Sequence, residues 1–275
     1  MYVMDVPARP VVGILHPGTM GAALGSALKA RAGAVIWADA GRSHPTAKRA
    51  EIADLQAVPD VAELARRAHV IVSICPPHAA RDVAAEVAAG LGDRAERPLY
   101  VDANAVSPAT VAEIDRVLGA GTVCDGAVIG PPAWERGTTV LWLSGPGAAV
   151  AAGLFEGSPF DARVLTGRAG DSTIGTASGL KACFALQSKA LPTVWLALAE
   201  AAERYGVTDE LRGELDRAGV GFESALADVR AKAASKGWRW VGEMEEAADA
   251  LAAVDVPDGF SRAAAELYRR AGERG

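Results

Sequence analysis

Short apolar runs rich in Val and Ile alternate with amphipathic stretches through the first half of the chain. The runs are VVGIL, AVIWA, VIVSI, PLYVDA and TVCDGAVI, followed by TTVLWLSG. Each run is bounded by turn residues and is apolar almost throughout, which is typical of strands buried on both faces of a parallel sheet. This alternation predicts an α/β fold with a doubly wound sheet and right-handed crossovers.

The character of the sequence changes near residue 166. Strand-like runs end there, and segments rich in Ala, Leu and Glu continue to the C-terminus. We predict a long helical stretch from Ile174 to Tyr205 with a kink at Pro192. Shorter helices are predicted near 208–218, 221–235, 242–253 and 258–272, with breaks at Gly206, Gly219, Gly237 and the sequence DVPDG. We therefore expect two domains, an α/β domain over 1–165 and an all-helical domain over 166–275.

Charge and cysteine content exclude several classes of protein. A net charge of -6 argues against nucleic acid as a partner, because binding phosphate backbones needs a basic face. The three cysteines have no C-x-x-C spacing and indicate neither a disulfide framework nor a zinc site, so we expect no metal. The N-terminus shows no signal-peptide pattern, and we expect no apolar run long enough to span a membrane. We therefore predict a cytoplasmic protein without membrane contact.

The stretch VVGILHPGTMGAAL, residues 11–24, resembles the strand–turn–helix that holds a dinucleotide. Of the fingerprint G-x-G-x-x-G, Gly18 and Gly21 are present, but His16 replaces the first glycine. Because a residue before proline favours extended geometry, we expect His16 to be extended and the turn to fall at Pro17 and Gly18. The alternative is a chance glycine turn. If the loop binds a cofactor, it is a Rossmann-type loop, and its candidate cofactor-binding residues are His16, Pro17, Gly18, Thr19 and Met20.

The loop after the second strand, WADAGRSH, lies where such proteins read the adenosine ribose. Asp39 would accept a hydrogen bond from the ribose 2′-hydroxyl of NAD. Arg42 and Ser43 would instead hold the 2′-phosphate of NADP, since an arginine beside a serine suits a phosphate. We favour NADP over NAD; the alternative is that Arg42 is a solvated loop charge.

Six segments in this order resemble the 3-hydroxyacid dehydrogenase superfamily: LHPGTMG, ICPPHAA, VDANAVSPAT, DGAVIGPP, SGLKACFA and RWVGEMEE. This superfamily includes 6-phosphogluconate dehydrogenases, 3-hydroxyisobutyrate dehydrogenases and imine reductases. The chain is most similar to a 6-phosphogluconate-dehydrogenase-like branch that has its own helical C-terminal domain. The resemblance extends over nearly the whole chain and implies a homodimer that binds a small-molecule substrate.

The resemblance also implies roles for particular residues. A strand-end segment like ICPP lies against the cofactor, which points to Cys75, Pro76 and Pro77. A segment like DANAVSP lies against the nicotinamide ribose, which points to Asn104. The catalytic lysine of the superfamily corresponds to Lys181 within GTASGLKACFA. A protonated lysine there would donate a proton to the oxygen that forms as hydride reaches the carbonyl carbon.

Two departures from the superfamily pattern concern the substrate. The dehydrogenases follow their lysine with asparagines where this chain has Phe184 and Ala185, and Gln187 or Ser188 are possible replacements. In the hydroxyacid dehydrogenases a Ser-Gly-Gly segment binds the substrate carboxylate. This chain has IGPP at the matching place, and prolines offer no N–H donor. The run GWRWVGEMEE is a second candidate for substrate contacts, or else a tryptophan-anchored helix start with a solvated acidic face. Our candidate substrate-binding residues are Ile129, Gly130, Pro131, Trp134 and Trp240.

These residues leave three functional hypotheses. The first is an NAD(P)-dependent oxidoreductase that transfers hydride between NADPH and a small carbonyl or alcohol, with Lys181 as proton donor or acceptor. The second is an imine reductase, which the lost carboxylate grip favours and the retained lysine opposes. The third is a dinucleotide-binding protein without catalysis, which only the altered glycine loop supports.

Overall fold

The computed structural model describes residues 6–167 and 173–273. Within these ranges eight strands form one sheet: β1 (Val11–Leu15), β2 (Ala34–Ala38), β3 (Gln56–Val58), β4 (Val70–Ser73), β5 (Leu99–Asp102), β6 (Val123–Ile129), β7 (Val140–Ser144) and β8 (Asp161–Val164). Their order is β3-β2-β1-β4-β5-β6-β7-β8, and the first six are parallel. The chain grows outwards in one direction from β1 and in the other from β4. The strands therefore change direction of winding between β1 and β4, where such sheets bind ligands.

Helices cover both faces of the sheet, which confirms the predicted doubly wound α/β fold. The helices of this part are α1 (Thr19–Leu28), α2 (His44–Ile52), α3 (Val61–Arg67), α4 (Ala80–Leu91), α5 (Pro108–Leu118) and α6 (Ala148–Leu154). Alternate strand residues face opposite layers: Val70 and Val72 pack with α1, whereas Ile71 packs with α3, α4 and α5. Burial on both faces explains why the inner strands are mostly apolar, whereas the edge strands β3 and β8 are largely exposed.

The parallel order ends after β6, where the chain makes a hairpin. Strand β7 runs antiparallel to β6, with Asp125 paired to Ser144 and Ile129 to Val140. Strand β8 then pairs in parallel with β7 at the sheet edge. The hairpin brings Ser144 of β7 next to Asp125 of β6, and both residues are buried.

Helices make up the rest of the described chain. They are α7 (Thr176–Ala185), α8 (Thr193–Tyr205), α9 (Thr208–Arg217), α10 (Phe222–Ala252) and α11 (Gly259–Glu273). A π-helical turn, Leu186–Ala190, follows α7, and Pro192 is the N-cap residue of α8. The predicted irregularity at Pro192 is therefore present, but it separates two helices instead of kinking one. The chain divides into two compact units, Met1–Lys181 and Ala182–Gly275, and the division falls within α7.

The predicted helix break at Gly237 is wrong. Helix α10 continues through it for 31 residues, and the expected helices near 221–235 and 242–253 are one. A β-carbon at Gly237 would lie 3.6 Å from the backbone oxygen of Tyr268 in α11. Position 237 thus lies at ordinary contact distance from α11, and the packing of α10 against α11 outweighs the low helix propensity of glycine. The core of this unit includes Trp240, Met244 and Tyr268.

One helical stretch of the described chain is long and apolar enough to cross a membrane, by length and composition only, so the expectation that no run reaches that length is wrong. It is Thr176–Tyr205, with a mean hydropathy of 1.2 over its most apolar window. The π-helical turn and Pro192 interrupt it. In α8 only Thr193 and Ala202 are buried, although most of its side chains are apolar.

Candidate active site

The loop between β1 and α1 makes its turn at His16. His16 has a φ of +65°, in the left-handed region, so the expected extended conformation is wrong. Its carbonyl accepts a hydrogen bond from the N–H of Gly18 at 2.7 Å, around Pro17. The histidine thus adopts the conformation that the first glycine of the fingerprint would adopt without strain. The tight turn survives this replacement.

The two remaining glycines of the loop serve different purposes. A β-carbon at Gly21 would lie 2.4 Å from the carbonyl oxygen of His16, so close packing requires glycine there. A β-carbon at Gly18 would meet nothing nearer than the same oxygen at 4.0 Å. Nothing in the described part of the chain therefore requires glycine at position 18. Open space at the N-terminus of α1 is what a pyrophosphate approaching the backbone needs, and Thr19 and Met20 begin that helix.

Arg42 lies close enough to His16 for its charge to act on the imidazole. Burial and the nearby Arg42 guanidinium lower the pKa of His16 from 6.5 to about 4, so the ring is neutral at pH 7. His16 Nδ1 and Arg42 Nε are both buried and have no hydrogen-bond partner within the described chain. Unpartnered buried polar atoms are rare and call for a partner. The residues present therefore fit a bound dinucleotide phosphate at this loop.

The remaining candidates for adenosine recognition lie on the surface. Asp39 and Ser43 are exposed, and Ser43 precedes α2, with its hydroxyl 3.1 Å from that of Thr46. Arg42 is partly buried, in contrast to the solvated loop charge of the alternative interpretation. Of the residues proposed to contact the adenosine ribose, Arg42 is the one whose charge acts on His16 in the glycine loop.

The turns after β4 and β5 are joined by Asn104. Its side-chain oxygen accepts from the N–H of Cys75 at 2.6 Å, and its amide donates to Ser73 and Asp102. Asn104 is buried, so in this structure its amide shapes the wall made by Cys75, Pro76 and Pro77. Burial, helped by the negative charge of Asp102, raises the pKa of the Cys75 thiol to about 12. This thiol stays protonated and is no nucleophile at neutral pH.

Lys181 lies at the carboxyl end of β6. Its ammonium donates a hydrogen bond to the carbonyl of Val128 at 2.5 Å. The neighbouring residues Ile129, Gly130 and Pro131 form the exposed or partly exposed start of the hairpin. The structure therefore brings the predicted catalytic lysine next to three of the predicted substrate-binding residues. A cation here, at the edge where the strands end, is placed to donate a proton.

The hairpin offers few donors to a substrate. Gly130 has a φ of +132°, and Pro131 uses its carbonyl to accept from the Thr139 hydroxyl. Since Pro131 and Pro132 carry no N–H, this turn cannot reproduce a carboxylate grip made of backbone donors. Trp134 follows with its side chain 54% exposed.

Sequence reasoning did not single out Asp125. This carboxylate in β6 is 0% exposed and accepts from both the N–H (2.9 Å) and the hydroxyl (2.6 Å) of Ser178 in α7. Ser144 of β7 donates to it as well, and accepts from the N–H of Ala177. Burial raises the pKa of Asp125, and the hydrogen bonds from Ser178 and Ser144 counter that rise. An aspartate inside an otherwise apolar strand was the available signal.

Trp240 lies in the core of the helical unit. It is 8% exposed, meets the ring of Tyr268 edge-on at 5.2 Å, and has the ammonium of Lys189 over its face. Lys189 also forms a salt bridge with the buried Glu243, which pairs with Arg239 on its other oxygen. The placement matches the tryptophan-anchored alternative for GWRWVGEMEE, and a substrate role for Trp240 stays a prediction.

Comparisons with solved structures agree with this architecture. A conserved hypothetical protein from Sinorhizobium meliloti 1021 is 23% identical, with 98% of this chain and 90% of that chain covered and a TM-score of 0.66. A 3-hydroxyisobutyrate dehydrogenase from Salmonella typhimurium is 19% identical over 96% and 95% of the chains, with a TM-score of 0.65. The chain has the fold of the 3-hydroxyacid dehydrogenases. The resemblance inferred from the sequence is confirmed at the level of the fold.

Two further comparisons concern the second half and the cofactor. Residues 202–271 match a family described as a domain of unknown function, DUF1932. An imine reductase from Myxococcus stipitatus, solved with NAD+, is 18% identical over 97% and 95% of the chains, with a TM-score of 0.50. No curated protein matches the sequence. Among the residues described, no group of three or more His, Cys, Asp or Glu side chains is placed to hold a metal ion.

Proposed function

We propose that this protein is an NADP-dependent oxidoreductase that reduces a small carbonyl compound, or oxidises the matching alcohol. The observation that carries the proposal is Lys181, whose ammonium is held at the carboxyl end of β6 in a sheet with Rossmann topology. The 3-hydroxyisobutyrate dehydrogenase with the same fold supports the reaction class. NADPH supplies the hydride when it is bound.

The chain's own residues divide the remaining work. The loop from His16 to Met20 offers an open backbone approach for the pyrophosphate at Gly18. Arg42 has an unpartnered Nε–H beside this loop, and a guanidinium is a strong ligand for a 2′-phosphate. Cys75 to Pro77 form a wall that Asn104 fixes from behind. These features support a preference for NADP over NAD.

Lys181 delivers the proton in the reductive direction. The carbonyl of Val128 accepts a hydrogen bond from the ammonium and holds it in place. When hydride reaches the carbonyl carbon of a substrate, the developing alkoxide takes a proton from Lys181 Nζ. In the oxidative direction a neutral Lys181 would take the proton from the alcohol instead.

The turn Ile129 to Pro132 favours one alternative, an imine reductase. This turn lacks the donors of a carboxylate grip, which suits an uncharged substrate, and the imine reductase fold is the same. The retained Lys181 argues for the carbonyl, since an alkoxide that forms on hydride transfer needs a proton donor, whereas an iminium substrate already carries its proton. Turnover of NADPH with a panel of small aldehydes, ketones, 2- and 3-oxo acids and cyclic imines decides between them. Cofactor binding without any turnover would point to a non-catalytic protein.

We also propose that the protein is a homodimer in which α8 contacts a second copy. Leu191, Val194 and Tyr205 are 59%, 46% and 82% exposed along an apolar helix. Soluble proteins seldom leave such a face uncovered. Sedimentation equilibrium is expected to give twice the mass of the chain, and a Leu191→Glu, Val194→Glu variant is expected to sediment as a monomer.

A further inference from the structure

We infer that Asp125, together with Ser178, is a positioning residue for Lys181. This inference rests on the proposed function, in which Lys181 donates the proton. Asp125 touches neither the substrate region nor the lysine in the contacts described above. It acts through the first turns of α7, the helix that carries Lys181.

The chemistry of Asp125 does not fit a purely structural role. Its carboxylate is 0% exposed, and the partners seen in the described part of the chain are neutral donors: the N–H and hydroxyl of Ser178, the hydroxyl of Ser144 and a backbone bond from Gly175. Burying a carboxylate without a cationic partner is costly, and an apolar residue would fill the same place in a strand more favourably. This cost is offset by the contacts that the carboxylate makes with the groups it holds in place.

What it holds is the N-terminus of α7. Ser178 lies in the first turn of this helix, where backbone N–H groups have no partner within the helix. A negative charge at this end is also favoured by the helix dipole. Ser144 holds the N–H of Ala177, so two adjacent strands bind two successive residues of the same turn. The first turn of α7 is thereby fixed to two neighbouring strands, β6 and β7.

Two contacts with equal spacing then fix the lysine. Ser178 binds Asp125, and Lys181, three residues later, binds the carbonyl of Val128, three residues later in β6. Residues three apart lie on one face of a helix. The pair of contacts therefore sets both the rotation of α7 and its position along β6. Loss of the first contact leaves the lysine side chain as the only link of the pair.

A shift of α7 is expected to lower the rate more than the affinity. Misplacing a reacting group by about 1 Å can cost on the order of 10²-fold in rate. We therefore expect Ser178→Ala and Asp125→Asn to lower kcat by about 10- to 100-fold. NADPH affinity is expected to stay unchanged, because the glycine loop and Arg42 do not depend on these contacts. A loss of stability alone would not separate kcat from affinity in this way.

The matched control is Asp60→Ala. Asp60 is the N-cap residue of α3, and its carboxylate accepts from the N–H of Glu63 at 2.7 Å. Its substitution removes a helix cap of the same kind, in a helix that follows β3 at the opposite edge of the sheet from β8. Ser178→Ala is the milder of the two test variants, since its backbone N–H still reaches Asp125. Thermal denaturation measures the stabilities of all three variants, so that rates are compared only between variants of similar stability.

The experiment has a second readout that needs no turnover. The rate of reductive methylation of Lys181, measured by mass spectrometry, is compared with that of the exposed Lys232 in the same sample. In the wild type Lys181 is expected to react more slowly, and in Ser178→Ala and Asp125→Asn its rate is expected to rise towards that of Lys232. Asp60→Ala is expected to leave the methylation rate of Lys181 unchanged.

The outcomes separate the two proposals. A changed methylation rate together with a lower kcat and unchanged NADPH affinity supports the positioning role. A changed methylation rate in a protein without turnover also supports positioning of the lysine, while the proposed function fails. Methylation rates in Ser178→Ala and Asp125→Asn equal to those of the wild type and of Asp60→Ala overturn the inference, whatever the activity.

Discussion

The ammonium of Lys181 donates a hydrogen bond to the backbone carbonyl of Val128, one residue before the exposed turn that starts at Ile129. This contact places an ammonium group where the parallel strands end. It connects a helix that follows the sheet with the strand next to the candidate substrate region. The proposed chemistry depends on it directly.

Removal of this side chain is expected to stop proton transfer and to spare cofactor binding. Lys181→Ala should lower turnover by ~10²–10⁴-fold, the usual contribution of general acid–base catalysis, with the NADPH dissociation constant unchanged. Steady-state rates and a fluorescence titration on the same sample measure both. The control is Lys232→Ala, at an exposed lysine of α10 that pairs with Asp228 on the same helix. Turnover of Lys181→Ala equal to that of the wild type would remove this residue from the mechanism.

Arg42 is expected to distinguish the two cofactors. Loss of its charge-assisted bond to a 2′-phosphate in Arg42→Ala should weaken NADPH binding by ~1.5–3 kcal/mol, and NADH binding should not change. Parallel titrations with both cofactors measure this, with Arg49→Ala in the last turn of α2 as the matched arginine control. Equal weakening for both cofactors would show that Arg42 supports the loop and not the phosphate.

The two loop glycines are expected to respond in opposite ways to an added methyl group. Gly18→Ala has space in the chain and should leave the free energy of unfolding within about 0.5 kcal/mol of wild type, while blocking approach of the pyrophosphate. Gly21→Ala forces its β-carbon against the carbonyl of His16 and should cost about 1–3 kcal/mol. Urea denaturation and NADPH titration of both variants test this.

Gly153→Ala is the control for these variants, since a β-carbon there meets nothing within 4 Å in helix α6. It should raise stability slightly, as alanine does in a helix, and leave cofactor binding unchanged. If Gly18→Ala binds NADPH as well as this control does, the open space at Gly18 is not the pyrophosphate site.

His16 is expected to make the folded state less stable in acid. Its pKa is about 4 in the folded protein against 6.5 ordinarily, so between these values the unfolded chain binds the extra proton. The contribution of His16 to the free energy of unfolding therefore falls as the pH is lowered from about 6.5 to about 4. Urea denaturation across this range measures the fall.

The matched variant for this prediction is His16→Asn. Asparagine tolerates the left-handed conformation but does not titrate, so its free energy of unfolding should fall less across the same pH range. The imidazole resonance that this variant removes from the NMR spectrum should titrate near pH 4. A midpoint near 6.5 would contradict the burial of this ring beside Arg42.

The architecture could be predicted from the sequence because burial on both faces leaves a direct mark on each strand. Val70 to Ser73 and Leu99 to Asp102 are continuous apolar runs, and their order along the chain determines the sheet. Local signals were weaker where two elements meet. Gly237 indicates a helix end in isolation, but it lies inside α10, beside Tyr268 of α11.

The candidate site likewise has features that the sequence predicts and features that depend on the folded chain. Lys181 was found through a motif, but its hydrogen bond to Val128 depends on a hairpin and a helix that are distant in sequence. His16 was expected to be extended because proline follows it, but its φ of +65° departs from that local preference. Asp125 had a signal, a charge within a buried strand, but its partners Ser144 and Ser178 appear only once the chain is folded.

The central claim is that the loop from His16 to Met20 holds NADPH despite its missing glycine. The most direct test is a fluorescence titration of the purified protein with NADPH and, separately, with NADH. We predict saturable binding of NADPH that is clearly tighter than that of NADH. Failure to bind either cofactor would mean that the histidine marks a loop that no longer works, and the proposed oxidoreductase function would fall with it.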